Sequence, residues 1–217
     1  MRRIVDAGVR VAAAEGLAAV SMGRVAAELG AAPMSLYRYV AAKDELTALM
    51  VDAAIGSPPA ERPTDEDWRA GLSRWARALR DGYLRHPWAL RVAITGPPVT
   101  PNQVAWMEDL LASLRGTGLT EQEKASVLLL LSGYVRNEAT LSADVFAAFQ
   151  AAGATSQQAM SAYGRLLARL TEVHRYPALH AVLAAGVFDA DDPPDAEFVF
   201  GLDRVLDGVE ALIRQRA

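Results

Sequence analysis

The stretch APMSLYRYV, residues 32–40, gathers a thioether (Met34), a hydroxyl (Ser35), two phenols (Tyr37 and Tyr39) and a guanidinium (Arg38) within six positions. Each of these groups can touch base edges or backbone in the major groove of a duplex. At a helical turn of about 100° per residue, Pro33, Leu36, Tyr37 and Val40 share one half of the projection and Met34, Ser35, Arg38 and Tyr39 the other. The first half is expected to pack inward and the second to face outward. Tyr37, at the edge of the inner half, can pack its ring and send its hydroxyl to a phosphate. Taken singly, these aromatics read as partly buried packing residues and Arg38 as a solvated charge. Together, at this spacing, they point to DNA.

A helix of two turns does not stand alone in water, so neighbouring elements must hold it. Ile4, Ala7, Gly8, Val11 and Ala14 recur at helical spacing and predict a first helix over 3–15, with Gly16 placed for a left-handed C-terminal cap. Ser21 is suited to cap a second helix, with Val25, Ala26 and Leu29 on its inner face and Gly30 at its end. Pro33 fits the first turn of a short third helix reaching about Val40. A fourth opens near Lys43 and carries Leu46, Leu49, Met50 and Ala53. Two helices joined by a tight turn containing Gly, the second short and polar outward, make a helix-turn-helix. Lys43, at a helix start where backbone N–H groups favour an anion, is a candidate phosphate contact.

The chain of 217 residues is about half apolar, rich in Ala and Leu, and carries a net charge of −4. These features predict an all-α protein. Residues 1–43 hold six basic and three acidic side chains, a balance of +3 that leaves −7 for the rest. A basic head on an acidic body suits a head that meets phosphate. There is no cysteine, so disulfides, thiolate nucleophiles and Cys-ligated zinc are excluded. With no long apolar run and no uninterrupted apolar leader, no membrane segment is expected and the cytoplasm is the expected compartment. No glycine-rich phosphate loop, strained serine elbow or cluster of His and carboxylates suggests an enzyme, a cofactor or a metal.

Gly56 and SPPAERPTD interrupt the pattern and divide a domain of 1–56 from a second of 57–217. In the latter, helices are expected at about 65–86, through about 94 after HPW, and at 101–115. A long one opens at the Thr120–Glu123 capping box, and segments at 155–174, 177–185 and 194–215 follow. The stretch Val127–Leu131 is apolar nearly all round, which predicts burial on every side. The final helix sets Val199, Leu202, Val205, Leu206, Val209 and Leu212 on one stripe, with Gly201 and Gly208 allowing close helix approach. A dimer face built from this helix and the one at about 120–150 is one reading; packing inside one subunit is the other.

Residues 3–56, with VAAELG in the second helix, SLY in the third and KDEL opening the fourth, resemble the DNA-binding domain of the TetR family of bacterial regulators. The body is similar to the tetracycline-repressor branch, chiefly in FVFGLDRVLDGVEALI. That resemblance implies a homodimer that binds a palindromic double-stranded DNA operator and releases it when a small-molecule effector enters the second domain. It places recognition-helix contacts on Pro33, Met34, Ser35, Tyr37, Arg38 and Tyr39 and a phosphate contact on Lys43, and it turns the start of the second helix, Ser21, Met22 and Arg24, toward the DNA backbone or groove edge. Gly23 stands where family members often carry Arg. The tetracycline repressors hold a metal-bound drug through a histidine near the proline loop; Arg91, Val92 and Ala93 offer none, so magnesium-tetracycline is not the expected effector.

Candidates to line an effector site are Trp68, Trp75, Tyr83, His86, Trp88, Trp106, Met107, Tyr134, Asn137, Glu138 and Tyr163. Aromatic stripes at helical spacing are commonly core. Asn137 and Glu138, polar in an apolar helix, either anchor a ligand or make interhelix hydrogen bonds. His86, His174 and His180 have no metal-ligand spacing. A helical small-molecule-binding protein that has lost sequence-specific DNA binding is the alternative.

Overall fold

The computed structural model describes residues 1–216, and among them the only regular elements are helices. These are α1 (Arg2–Glu15), α2 (Met22–Glu28), α3 (Pro33–Leu36), α4 (Lys43–Ile55), α5 (Trp68–Arg85), α6 (Pro101–Ser113), α7 (Glu121–Ala151), α8 (Ser156–Leu170), α9 (Pro177–Ala184) and α10 (Ala196–Arg214). Short 3-10 turns lie at Leu17–Ala19, Pro87–Arg91 and Val187–Asp189. The chain divides into two compact units: Met1–Thr140 together with the chain from Leu202 on, and Leu141–Gly201.

In the first unit, α1 packs on α2 and α4. Ile4, Val5, Ala7, Val11, Val25, Ala26, Leu36, Val40, Leu46 and Met50 are buried in one cluster. Gly8 lets α1 approach α4, since a Cβ there would stand 2.6 Å from Met50 Sδ. Ser21 caps α2 by accepting from Arg24 N–H at 3.1 Å. Gly30 ends the turn at φ 65°, where an L side chain is strained. Gly16 also has positive φ, but its ψ of 163° makes it an extended cap rather than the left-handed one expected.

Several boundaries differ from expectation. α3 is one turn, Pro33–Leu36, and residues 37–39 continue as tight turns through Tyr39 N–H to Leu36 O at 2.9 Å and Val40 N–H to the same carbonyl at 3.1 Å. Only Leu36 and Val40 of the inner half are buried; Pro33 and Tyr37 are exposed. On α4, Ala53 faces solvent and Asp52 is the buried residue instead. The chain beyond His86 is a 3-10 turn ending at Arg91 rather than a helix to 94. It inserts Trp88 and Ala89 into the cluster beneath α1 and α4.

α5 and α6 meet edge to face through Trp75 and Trp106, with centroids 5.7 Å apart. Thr120 and Glu123 make the capping box of α7, Thr120 N–H donating to Glu123 Oε2 at 2.8 Å and Glu123 N–H to Thr120 Oγ1 at 3.3 Å. Along α7, Val127, Leu131, Val135 and Ala139 form the buried row. Burial on every side does not occur: Leu129 is 77% and Leu130 54% exposed. On a single chain a four-residue spacing covers one face, and these two leucines lie off it.

The segment leading into α5 is pinned by charge. Glu66, its side chain 5% exposed, accepts from Arg74 Nε at 2.9 Å and pairs with Arg62 at 3.2 Å, and Arg74 also holds Asp109 of α6 at 3.1 Å. The Arg74 hydrogen bond, followed by its charge and that of Arg62, outweighs burial and holds the Glu66 carboxyl below the usual carboxylate range. A depressed pKa stabilises the fold above the unfolded value, about 4.3, and that contribution is lost as pH falls through the folded one. The thermal midpoint of the parent should therefore fall more steeply below about pH 4.3 than that of Glu66→Gln, and equal acid limbs in a scan across pH 3–7 would contradict the pairing.

In the second unit, α8 packs on the 3-10 turn at Val187–Asp189. Gly164 leaves room for Phe188, whose Cβ lies 2.9 Å from where a glycine substituent would stand.

Candidate nucleic-acid interface

α3 is fixed from beneath by Leu36 and Val40, 2% and 1% exposed, so its remaining side chains are turned outward by default. Met34 is 75%, Tyr37 46% and Tyr39 52% exposed. Arg38 is exposed as well, with its guanidinium 5.9 Å from the Tyr39 ring centre. The planar cation and the aromatic face support one another, which restrains two long side chains before any partner arrives. Ser35 spends its hydroxyl proton on Ala32 O at 2.6 Å, so it can only accept from a partner while that bond lasts. Pro33, at the first position of α3, is exposed.

Lys43 opens α4 with its side chain in solvent. Asp44 and Glu45 share that first turn, and Glu45 Oε2 accepts from Ala41 N–H at 2.6 Å. The α4 start is thus partly served by its own carboxylates, and Lys43 supplies an exposed cation.

Two residues at the start of α2 do not stand as expected. Met22 is 8% exposed and packs in the core, because the first turn of α2 directs that position toward α1; it cannot face a groove. Arg24 is taken up by Glu15 of α1, at 2.5 Å from Nη2, and by Glu28 of α2, at 3.2 Å from Nη1. Glu28 also pairs with Arg10 at 3.2 Å. The hydrogen bond from Arg24 holds Glu15 below the usual carboxylate range, and the reciprocal bond raises Arg24 further. Ser21 is exposed beside them. Gly23 is exposed too, with no atom within 4 Å of a would-be Cβ.

The residues expected around an effector fall into distinct settings. Trp75 is 1% exposed and donates from Nε1 to Trp106 O at 2.8 Å, while Trp106 donates to Gly56 O at 2.8 Å. Both indoles are structural bolts, their only polar atoms already committed. Trp88 belongs to the N-terminal core, and its Nε1 has no hydrogen-bond partner. Tyr83 packs against that same cluster and lies under Arg136, 5.7 Å from its guanidinium. His86 stands edge-on to Trp88 at 6.3 Å, and burial, then Arg85, pushes its imidazole down. Trp68, Met107 and Tyr134 are half-buried. Glu138 is held by Arg80 in a two-pronged pair, 2.6 and 3.0 Å, at 14% and 11% side-chain exposure. Asn137 is exposed, not enclosed in a buried helix as expected, because it points off the Val135–Ala139 row. Tyr163 lies in the second unit, edge-on to Phe188 at 5.5 Å.

Arg80 is the partner that sequence could not supply, since it sits 58 positions from Glu138. Asp52 is another. The residue is 8% exposed, and its carboxylate accepts from Thr100 Oγ1 at 2.6 Å, Asn102 Nδ2 at 3.0 Å and Gln103 N–H at 3.1 Å, while Asn102 also donates to Asp52 O at 3.0 Å. The last turns of α4 thereby cap the N-terminus of α6. Among the described residues, no group of three or more His, Cys, Asp or Glu side chains could hold a metal ion, and no helix is long and apolar enough to cross a membrane.

A short outward-facing helix, packed on α2 over a core that α1, α2 and α4 share and followed in the chain by further helices, defines a DNA-binding transcriptional regulator of the helix-turn-helix class. The chain belongs to the TetR family: residues 4–50 match the model for bacterial regulatory proteins of the tetR family, and residues 59–213 that for the tetracyclin repressor-like C-terminal domain. It is 40% identical over 217 residues to the HTH-type transcriptional repressor DrrR1 of Streptomyces coeruleorubidus, covering 99% of this chain and 78% of that protein. Apo ActR of Streptomyces coelicolor superposes with a TM-score of 0.81 at 28% identity, covering 100% of this chain and 97% of that one. ActR in complex with actinorhodin gives a TM-score of 0.81 at 29% identity, covering 97% and 94%.

Proposed function

We propose that the protein is a cytoplasmic, homodimeric repressor that binds a palindromic operator and leaves it when a small molecule enters the helical body, with no catalysis involved. The observation that carries this reading is the outward set Met34, Tyr37, Arg38 and Tyr39 on a helix anchored only by Leu36 and Val40. With Pro33 and Ser35 beside them these groups meet base edges, and Ser21 and Lys43 meet phosphate. Residues 1–56 serve as the DNA-binding domain and 57–217 as the effector and dimerisation domain.

Dimerisation accounts for the exposed leucines of α7. Leu129 and Leu130 are apolar where one chain leaves them in water, and Gly133 on α7 and Gly208 on α10 have open space at their Cβ positions. A second copy laid against these surfaces buries the leucines and finds no side chain in its way at the glycines. Two α3 helices are then set about 34–36 Å apart for successive major grooves. The release step draws support from relatives, DrrR1 being a repressor and ActR having been crystallised with actinorhodin. The half-buried Arg80–Glu138 pair, with Tyr83, Tyr134 and Met107, supplies polar and apolar groups for such a ligand.

Sedimentation and fluorescence anisotropy test the reading together. The parent should sediment as a dimer, bind a selected operator, and be displaced from it by a small molecule, with actinorhodin as the first probe. Leu129→Glu with Leu130→Glu should yield a folded monomer with operator affinity reduced by 100-fold or more, an order-of-magnitude figure for losing the second half-site. A dimer that survives both charges would overturn the interface.

A further inference from the structure

We propose that Glu15 and Glu28 are specificity-determining residues that withhold Arg24 from DNA phosphate. This rests on the DNA-binding reading above. Arg24 lies in the first turn of α2, three residues after the cap Ser21. In a helix-turn-helix, the helix preceding the recognition helix crosses the phosphate backbone. An unoccupied guanidinium at that place would add a contact that every DNA sequence satisfies equally.

The guanidinium is occupied instead. Nε donates to both oxygens of Glu15, at 3.1 and 3.2 Å, and Nη2 donates to Oε1 at 2.5 Å. Nη1 and Nη2 both reach Glu28 Oε2, at 3.2 and 3.3 Å. All three nitrogens of the fork are therefore engaged by carboxylates of the same domain. Arg10 completes the row from the far side of Glu28, giving two cations and two anions with no net charge.

Stability does not account for this arrangement. The four side chains are 28–57% exposed, and they rim an open depression of about 490 Å³ that also includes Val11, Ala13 and Ala14. Ion pairs in such water-accessible positions contribute little to folding. Their effect on a nearby polyanion is larger: the two carboxylates cancel the charges of Arg24 and Arg10 within a Debye length of the backbone. The outward residues of α3 are thereby left to set affinity through base edges, and sequence-independent binding is kept low.

The test is a double-mutant cycle read by salt-dependent anisotropy on operator and on scrambled duplex, using the full-length dimer. Glu15→Gln with Glu28→Gln should tighten binding to scrambled DNA several-fold at low salt. It should also steepen the plot of log K against log salt by about 0.9, the slope of one phosphate contact. Adding Arg24→Gln in that background should return the slope to the parent's. If the triple variant keeps the gain, long-range charge alone is responsible and the inference fails. It fails equally if Arg24→Gln alone flattens the parent's slope, since Arg24 would then already touch phosphate. Thermal midpoints within a few degrees of the parent separate these outcomes from misfolding. A parent that shows no DNA binding at any salt would instead remove the underlying reading.

Discussion

Replacing Arg38 and Tyr39 together by alanine is expected to lower operator affinity about 100-fold and to erase most of the preference for operator over scrambled duplex. Each well-placed base contact supports about 1–3 kcal/mol of discrimination, and the two residues share one exposed surface with the guanidinium against the ring. Neither side chain is part of the core, which is closed by Leu36 and Val40, so the thermal midpoint should stay within a few degrees of the parent. Lys43→Ala provides the contrast. A phosphate contact weakens all sequences alike and reduces the salt slope by about 1, so its operator preference should persist. Anisotropy titrations on both duplexes at several salt concentrations distinguish the two patterns.

The second large effect is expected at Asp52. Alanine there removes the acceptor for Thr100 Oγ1, Asn102 Nδ2 and Gln103 N–H at one stroke. Hydrogen bonds to a charged group contribute about 1.5–3 kcal/mol each, and donors left unpaired in a buried place add to the loss. Partial rearrangement of Asn102 and Thr100 offsets some of this, so a net cost of about 3 kcal/mol is expected. For a chain of this length the midpoint should drop by about 6–12 °C. Asp52→Asn keeps one acceptor oxygen and should fall between. Thermal denaturation of the three proteins at neutral pH checks the order, and an Asp52→Ala midpoint equal to the parent's would show that the α4–α6 link carries no stability.

The helices were largely readable from the 3.6-residue recurrence of apolar side chains, and their ends from local chemistry. Ser21, Gly30, Pro33 and the Thr120–Glu123 box all act within four residues of themselves, which is the range over which one sequence window is informative. The exposure of Met34, Arg38 and Tyr39 was readable for the same reason. Tyr37 was less so, because α3 closes after one turn and the later residues leave the ideal helical projection.

Pairings over longer separations were not readable. The Arg24–Glu15 pair was hidden because the two side chains meet only once α1 and α2 pack together. Asp52 sits on a helix among apolar residues, yet its partners lie 48–51 positions away. The aromatic stripe of α5 read more readily as core than as cavity wall, and indole bonds to Trp106 O and Gly56 O put Trp75 and Trp106 of α6 in the core. Leu129 and Leu130 show a further limit, since an apolar run predicts burial, yet both stay exposed on the single chain.

The central claim is that the outward face of α3 reads DNA sequence, and selection from random duplexes by the full-length protein tests it most directly. Parent protein and the Arg38→Ala, Tyr39→Ala variant are carried through the same rounds and the recovered pools sequenced. The account predicts a pseudo-palindrome enriched by the parent alone, with half-sites about one helical turn apart. A folded, dimeric parent that enriches nothing, or a variant that enriches the same palindrome, would contradict it.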